Sequence, residues 1–131
     1  MSLNDEERQI LVNLEKEKAL NTYAEIDILR QAGFWNNIAN RLYYAAFHAV
    51  SALLIHDRHT FGSHQGAVIG LHNYYVRTGI LSKEDGSLYS QLQTMREKSD
   101  YSCTYYATEE DTAPRIEQTK QFIDKVLSLI Q

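Results

Sequence analysis

The sequence predicts an all-α protein: an up-and-down bundle of about five helices, with residues 1–131 forming a single domain. Three observations lead there. Apolar residues recur at three- and four-residue steps along nearly the whole chain. Sustained period-2 alternation and Asn-Gly or Asp-Gly hairpin turns are missing. The chain holds one proline and six glycines, the glycines mostly where helices can end. With 131 residues, 44% of them hydrophobic, it can bury a sizeable core without staples.

The first helix is expected over 4–32. Asn4 caps it, with Glu7 reaching back from the third helical position. Leu11, Leu14, Ala19, Ile26 and Leu29 form a loose apolar stripe, and Gly33 supplies the stop. Asn21-Thr22 is its weakest point on propensity. The second helix is expected over 36–56. Tyr43, Phe47, Val50 and Leu54 share one face, while Ala39, Ala45, Ala46, Ala49 and Ala52 keep it slim, which predicts a central position. A loop follows over 57–62. Ser63 caps a third helix that ends before Gly79 and carries Val68, Leu71, Tyr75 and Val76. Ser82 with Asp85 reads as a capping box for a fourth helix bearing Leu88, Leu92 and Met95. A tyrosine-rich connection covers 100–107. Thr108 with Asp111 offers another box, but Pro114 then lies one turn inside, so the last helix either starts nearer Asp111 or kinks. It carries Ile116, Phe122, Ile123, Val126, Leu127 and Ile130. Short connections favour antiparallel neighbours.

Composition narrows the function classes. A lone cysteine, Cys103, excludes an internal disulfide framework and fits a reducing cytoplasm. The opening MSLNDEERQ has acidic residues where a signal peptide would be basic. No apolar run is expected to reach the roughly 20 residues that span a bilayer. With 17 acidic against 13 basic residues, a broad nucleic-acid-coating surface and general DNA binding are not expected; a small local basic site stays open.

Two clusters can carry chemistry. Arg41, Tyr44 and His48 stand at i, i+3 and i+7 on one face of the second helix, beside its core stripe. A cation, a phenol and an imidazole there can bind phosphate or move a proton. The structural alternative pairs Arg41 with a buried carboxylate and makes His48 a satisfied near-core histidine. Arg96, Asp100 and Tyr101 end the fourth helix, where Arg96 is either an end-charge or is held in place by Asp100. His56, His59, His64 and His72, with Asp57 among them, lack metal-ligand spacing, an HExxH pattern and a cysteine partner, so no metal is expected. No Gly-rich phosphate loop follows a strand and no nucleophile signature surrounds Cys103 or Ser63, so no cofactor is implied. The pairs Tyr43-Tyr44, Tyr74-Tyr75 and Tyr105-Tyr106 either stack on bases or fill the bundle with their hydroxyls at its rim.

The run from Arg41 to His48, RLYYAAFH, resembles the R-x-Y-Y-A-x-F-H signature of HEPN-domain proteins. The Gly33-Phe34-Trp35 segment before it, Ser63-His64-Gln65-Gly66-Ala67-Val68 and Arg96 with Asp100-Tyr101 follow the family's order and spacing, so the resemblance covers almost the whole chain. It implies a small helical bundle, commonly a homodimer, whose relatives bind or act on nucleotides or RNA. Many are paired with a minimal nucleotidyltransferase in toxin–antitoxin-type systems. It also singles out Arg41, Tyr44, His48, Arg96, Asp100 and Tyr101 as a ligand-binding set. Ribonuclease-active relatives carry an Arg and a His four to six residues apart late in the bundle. Here Tyr101, Ser102 and Cys103 stand where that His would be. The resemblance therefore points to a nucleotide- or RNA-binding module. The alternatives are a metal-independent endoribonuclease, with Arg96 and either His48 or His64 as catalytic residues, and a structural interaction domain.

Overall fold

The computed structural model describes residues 3–131, which contain helices and no strand. In chain order these are α1 (Asp5–Ala24), α2 (Ile26–Ala32), α3 (Trp35–His56), α4 (His64–Leu71), a π-helical turn (His72–Val76), α5 (Lys83–Tyr101) and α6 (Glu109–Ser128). The architecture is an all-α bundle. α3 is its axis and packs against α1, α2, α4, α5 and α6. The five alanines of α3 are fully buried, which lets several helices approach one at close range. Between them Leu42, Tyr43, Leu53 and Leu54 join Tyr89 and Leu92 of α5 and Phe122, Ile123 and Val126 of α6 in one core. Against expectation, α3 is long and apolar enough, by length and composition, to cross a membrane. Its most apolar window is 67% buried inside the bundle, so the role of central helix accounts for that composition.

Local signals set most helix ends. Glu7 N–H donates to Asn4 Oδ1 (2.8 Å) and Asn4 N–H to Glu7 Oε1 (3.0 Å), closing the expected box on α1. The expected single first helix is in fact two. At Glu25 the backbone tightens, its N–H bonding to the Thr22 carbonyl three residues back, and α2 restarts from there. α2 ends at Gly33 (φ 75°) with paired bonds from Gly33 N–H to Arg30 O and from Phe34 N–H to Leu29 O. The buried stripe of α1 and α2 is Val12, Ala19, Thr22 and Ile26, with Leu29 packed against the core, so Ala19, Ile26 and Leu29 are as expected while Leu11 and Leu14 are not. Leu11 and Leu14 are 37% and 55% exposed because nothing in the bundle covers that side. Ser63 and Ser82 cap α4 and α5. α6 starts at Glu109 under a Thr108 cap, so Pro114 sits inside the helix. Only the first four N–H groups of a helix lack an internal acceptor, so proline here removes a single bond, the one to the Glu110 carbonyl.

The π turn is the element that the helical period does not show. Tyr75 O–H donates to Asp57 Oδ2 (2.7 Å), and Tyr74 stacks flat on His59 at 3.6 Å, so side chains from the loop after α3 hold the widened turn open. It fits against α5 at Gly86. A Cβ there would stand 2.8 Å from His72 Cε1 and 3.0 Å from Val76 Cγ2. Alanine ordinarily stabilises a helix interior by about 1 kcal/mol relative to glycine. At this contact the clash should reverse the sign: Gly86→Ala is expected to lower unfolding free energy by about 1–3 kcal/mol in a denaturant titration, and a gain would show that the π turn yields freely.

Candidate functional site

The C-terminal half of α5 is anchored before any ligand arrives. Met95 packs with Ala39 of α3 and Ala107 of the connection to α6, flanked by Trp35 and Tyr105. Ala107 N–H donates to Asn36 Oδ1 at 2.6 Å, tying that connection to the start of α3. On the other side of α5 an open cleft of about 620 Å³ forms between three helices. Tyr44 comes from α3, His64 from the first position of α4, and Arg96, Glu97, Lys98 and Tyr101 from α5, with Ser102 at the end.

Arg96 is the unusual member. It is 5% exposed, yet it carries a charge. Its Cζ lies over three tyrosine rings, 4.9 Å from the Tyr43 centroid, 5.5 Å from Tyr44 and 5.8 Å from Tyr101. Burial works against the charge, but the Tyr44, Tyr43 and Tyr101 phenols and Asp100 outweigh it, holding the guanidinium above its ordinary value. Its polar contacts are sparse. Nη1 donates to Tyr101 Oη (3.4 Å) and lies 3.8 Å from Asp100 Oδ2. Nε is buried with no partner among the described residues. The Asp100 carboxylate is claimed more closely by Asn40, whose Nδ2 donates to both oxygens at 3.3 and 3.0 Å. A buried guanidinium with unused donors, at the floor of an open cleft, is suited to an anionic ligand.

His64 is the cleft's second polar group. Its ring packs on Phe47 (4.4 Å between centroids), Tyr43 and Tyr44. Its Nδ1 lies 2.7 Å from Tyr43 Oη. Burial, then the nearby Arg96 and His48, hold the imidazole below its usual range, with Glu97 acting weakly in the opposite direction. At neutral pH it is uncharged.

Of the six residues singled out in the sequence, Tyr44, Arg96 and Tyr101 line this cleft and Asp100 stands behind Arg96. Arg41 lies on the other flank of Tyr44, with Cζ 5.6 Å from that ring. Its Nε and Nη2 donate to Asn40 Oδ1, and Nη1 is 3.6 Å from Glu25 Oε2, so its guanidinium is already engaged. His48 is held by Glu15 of α1 (Nδ1 to Oε1, 3.2 Å) and does not line the cleft. Sequence reasoning left Asn40 out, took Tyr43 for core or a base-stacking ring, and gave His64 only as an alternative proton carrier. Ser63-His64 is legible as a cap, but which neighbour the histidine then meets depends on how α4 crosses α3. No three His, Cys, Asp or Glu side chains converge among the described residues.

Removing Arg96 strands no buried charge, because its nearest carboxylate, Asp100, stays bonded to Asn40. Replacing it with an unbranched apolar chain of similar length should fit over Tyr43. Arg96→Met is expected to leave thermal unfolding within about 1 kcal/mol of wild type, whereas a loss of 3–5 kcal/mol would make Arg96 part of a structural network instead.

The chain matches the HEPN domain model over residues 12–129, from the first buried position of α1 to just past α6. It is 27% identical to a UPF0332 protein of Thermotoga maritima over 125 residues, 95% of each chain. It is also 27% identical to a Methanocaldococcus jannaschii protein described as a candidate toxin, over 121 residues, 92% of this chain and 87% of that one. With the helical bundle and a family match across its full depth, the chain belongs to the HEPN domain family.

Proposed function

We propose that this protein binds a nucleotide or single-stranded RNA in the cleft between Tyr44, His64, Arg96 and Tyr101. The observation that carries the reading is the buried Arg96 guanidinium with an unpartnered Nε. It supplies a fixed positive charge for a phosphate, while the 78%-exposed Tyr101 offers a ring face to a base and Tyr44 holds the guanidinium from below. Lys98, also lining the cleft, adds a second cation near the mouth. The overall negative charge is no obstacle, since the positive potential needed is local. The likeness to a candidate toxin supports a toxin–antitoxin-type setting for this binding. Ile10, Leu11 and Leu14, exposed on α1, support self-association on the face away from α3.

One observation favours a second reading. His64 and Arg96 share the cleft, so an arginine and a histidine meet in space although they are far apart in sequence. In a metal-independent endoribonuclease the ribose 2′-oxygen would bond to the adjacent phosphorus as the bond to the 5′-oxygen breaks. One proton leaves the 2′-hydroxyl and another reaches the departing 5′-oxygen. Arg96 would stabilise the phosphorane charge and His64, not His48, would carry a proton.

Fluorescence polarisation with a short labelled oligoribonucleotide, in EDTA, tests both. The binding reading expects intact RNA that binds wild type, and Tyr101→Ala weakening it by about 5- to 150-fold, the value of one base stack. Equal binding by wild type, Tyr101→Ala and Arg96→Met would remove the cleft from the account. Cleavage that His64→Ala abolishes and His48→Ala leaves intact would establish the enzyme.

A further inference from the structure

Tyr43 ties the two polar groups of the cleft together. It is fully buried, and its ring lies under Arg96 at 4.9 Å. Its hydroxyl has a single hydrogen-bond partner among the described residues, His64 Nδ1, at 2.7 Å. The Tyr89 hydroxyl and the Arg96 guanidinium stand beside the Tyr43 oxygen as donors, which directs the Tyr43 proton towards His64.

We propose that Tyr43 is a positioning residue that fixes His64 as the tautomer protonated on Nε2, so that the cleft offers an anionic ligand two N–H donors, an imidazole and a guanidinium. The inference rests on the reading of this cleft as a nucleotide site and specifies the ligand chemistry it accepts. A phenol has one proton. Were Nδ1 to donate to the phenol oxygen, the Tyr43 proton could turn only to the Tyr89 hydroxyl, which makes no well-formed bond among the described residues, and buried donors are almost always paired. With Tyr43 donating, Nδ1 is the acceptor and the ring proton resides on Nε2. No group among the described residues hydrogen-bonds Nε2, which leaves it for a ligand.

The surroundings agree. Burial pushes the Tyr43 phenol up, which keeps it an O–H donor. The groups facing His64 are Tyr43, Tyr44 and His48 from α3 and Arg96 and Glu97 from α5; burial first, then Arg96 and His48, favour the neutral ring over the weaker pull of Glu97. A neutral ring with its proton on Nε2 donates to a phosphate oxygen but cannot accept a 2′-hydroxyl proton at that atom. The tautomer therefore favours capture of a phosphate over base catalysis, and the selectivity it predicts is for ligands with oxygen acceptors beside a stackable ring.

The test is ¹⁵N NMR of the histidine rings at pH 7.5 on wild type without ligand, then on Tyr43→Phe, followed by titration of each with 5′-AMP. The expected wild-type spectrum shows His64 Nδ1 unprotonated and Nε2 protonated. Tyr43→Phe, which keeps the ring under Arg96, should shift His64 towards a tautomer mixture and raise its pKa, because the lost hydrogen bond stabilises the neutral form. It should weaken AMP by about 2- to 10-fold, the worth of one hydrogen bond. A protonated Nδ1 in wild type, or ring nitrogens unchanged in Tyr43→Phe, overturns the proposal. If Tyr43→Phe does not fold, the wild-type spectrum decides alone. If wild type ignores AMP while Nδ1 is unprotonated, the nucleotide reading fails and the tautomer assignment stands.

Discussion

The placement of one guanidinium over one buried tyrosine governs the rest of the site. Arg96 reaches its position because α5 is pinned at Met95 and because α3, slimmed by alanines, brings Tyr43 and Tyr44 beneath it. Aromatic faces, not carboxylates, carry most of the compensation for its burial. This has a functional consequence. A tightly paired Arg–Asp would be electrically spent, whereas an arginine stacked on rings retains donors for a ligand. Asn40 sharpens the effect by holding Asp100 with two hydrogen bonds while the arginine stays 3.8 Å away.

Tyr43 extends the same logic to His64. Its ring faces the cation and its hydroxyl faces the imidazole, so a single core residue of α3 relates two groups that arrive from α4 and α5. The site is thus built on helices that are themselves core elements, and little of it depends on loop conformation. Arg41, by contrast, spends its donors on Asn40 and Glu25 and serves to steady the far side of Tyr44.

The fold was legible in the sequence wherever its determinants are local. Asn4 with Glu7, Ser82 with Asp85, and Gly33 each act through neighbours within five residues, so their partners could be read directly. What was not legible depends on distant contacts. The widened turn at His72–Val76 needs Asp57 and His59 to hold it. Leu11 and Leu14 look like core on the helical period, and only the absence of a neighbouring helix exposes them. The same division runs through the site. Tyr44, Arg96 and Tyr101 stood out in short motifs, while His48 entered the ligand-binding set and His64 only as an alternative proton carrier. Spacing along α3 says nothing about α4, and the Tyr43–His64 contact spans 21 residues of sequence.

On the proposed reading Arg96 is a buried cation kept free for an anion. Its Nε–H has no partner among the described residues, so its ¹H–¹⁵N resonance is sensitive to an anion that engages the same guanidinium. In a titration with 5′-AMP, the account predicts that the Arg96 Nε–H signal moves and saturates while that of Arg41, already bonded to Asn40, stays in place. An Arg96 signal that is unmoved while others shift would contradict it.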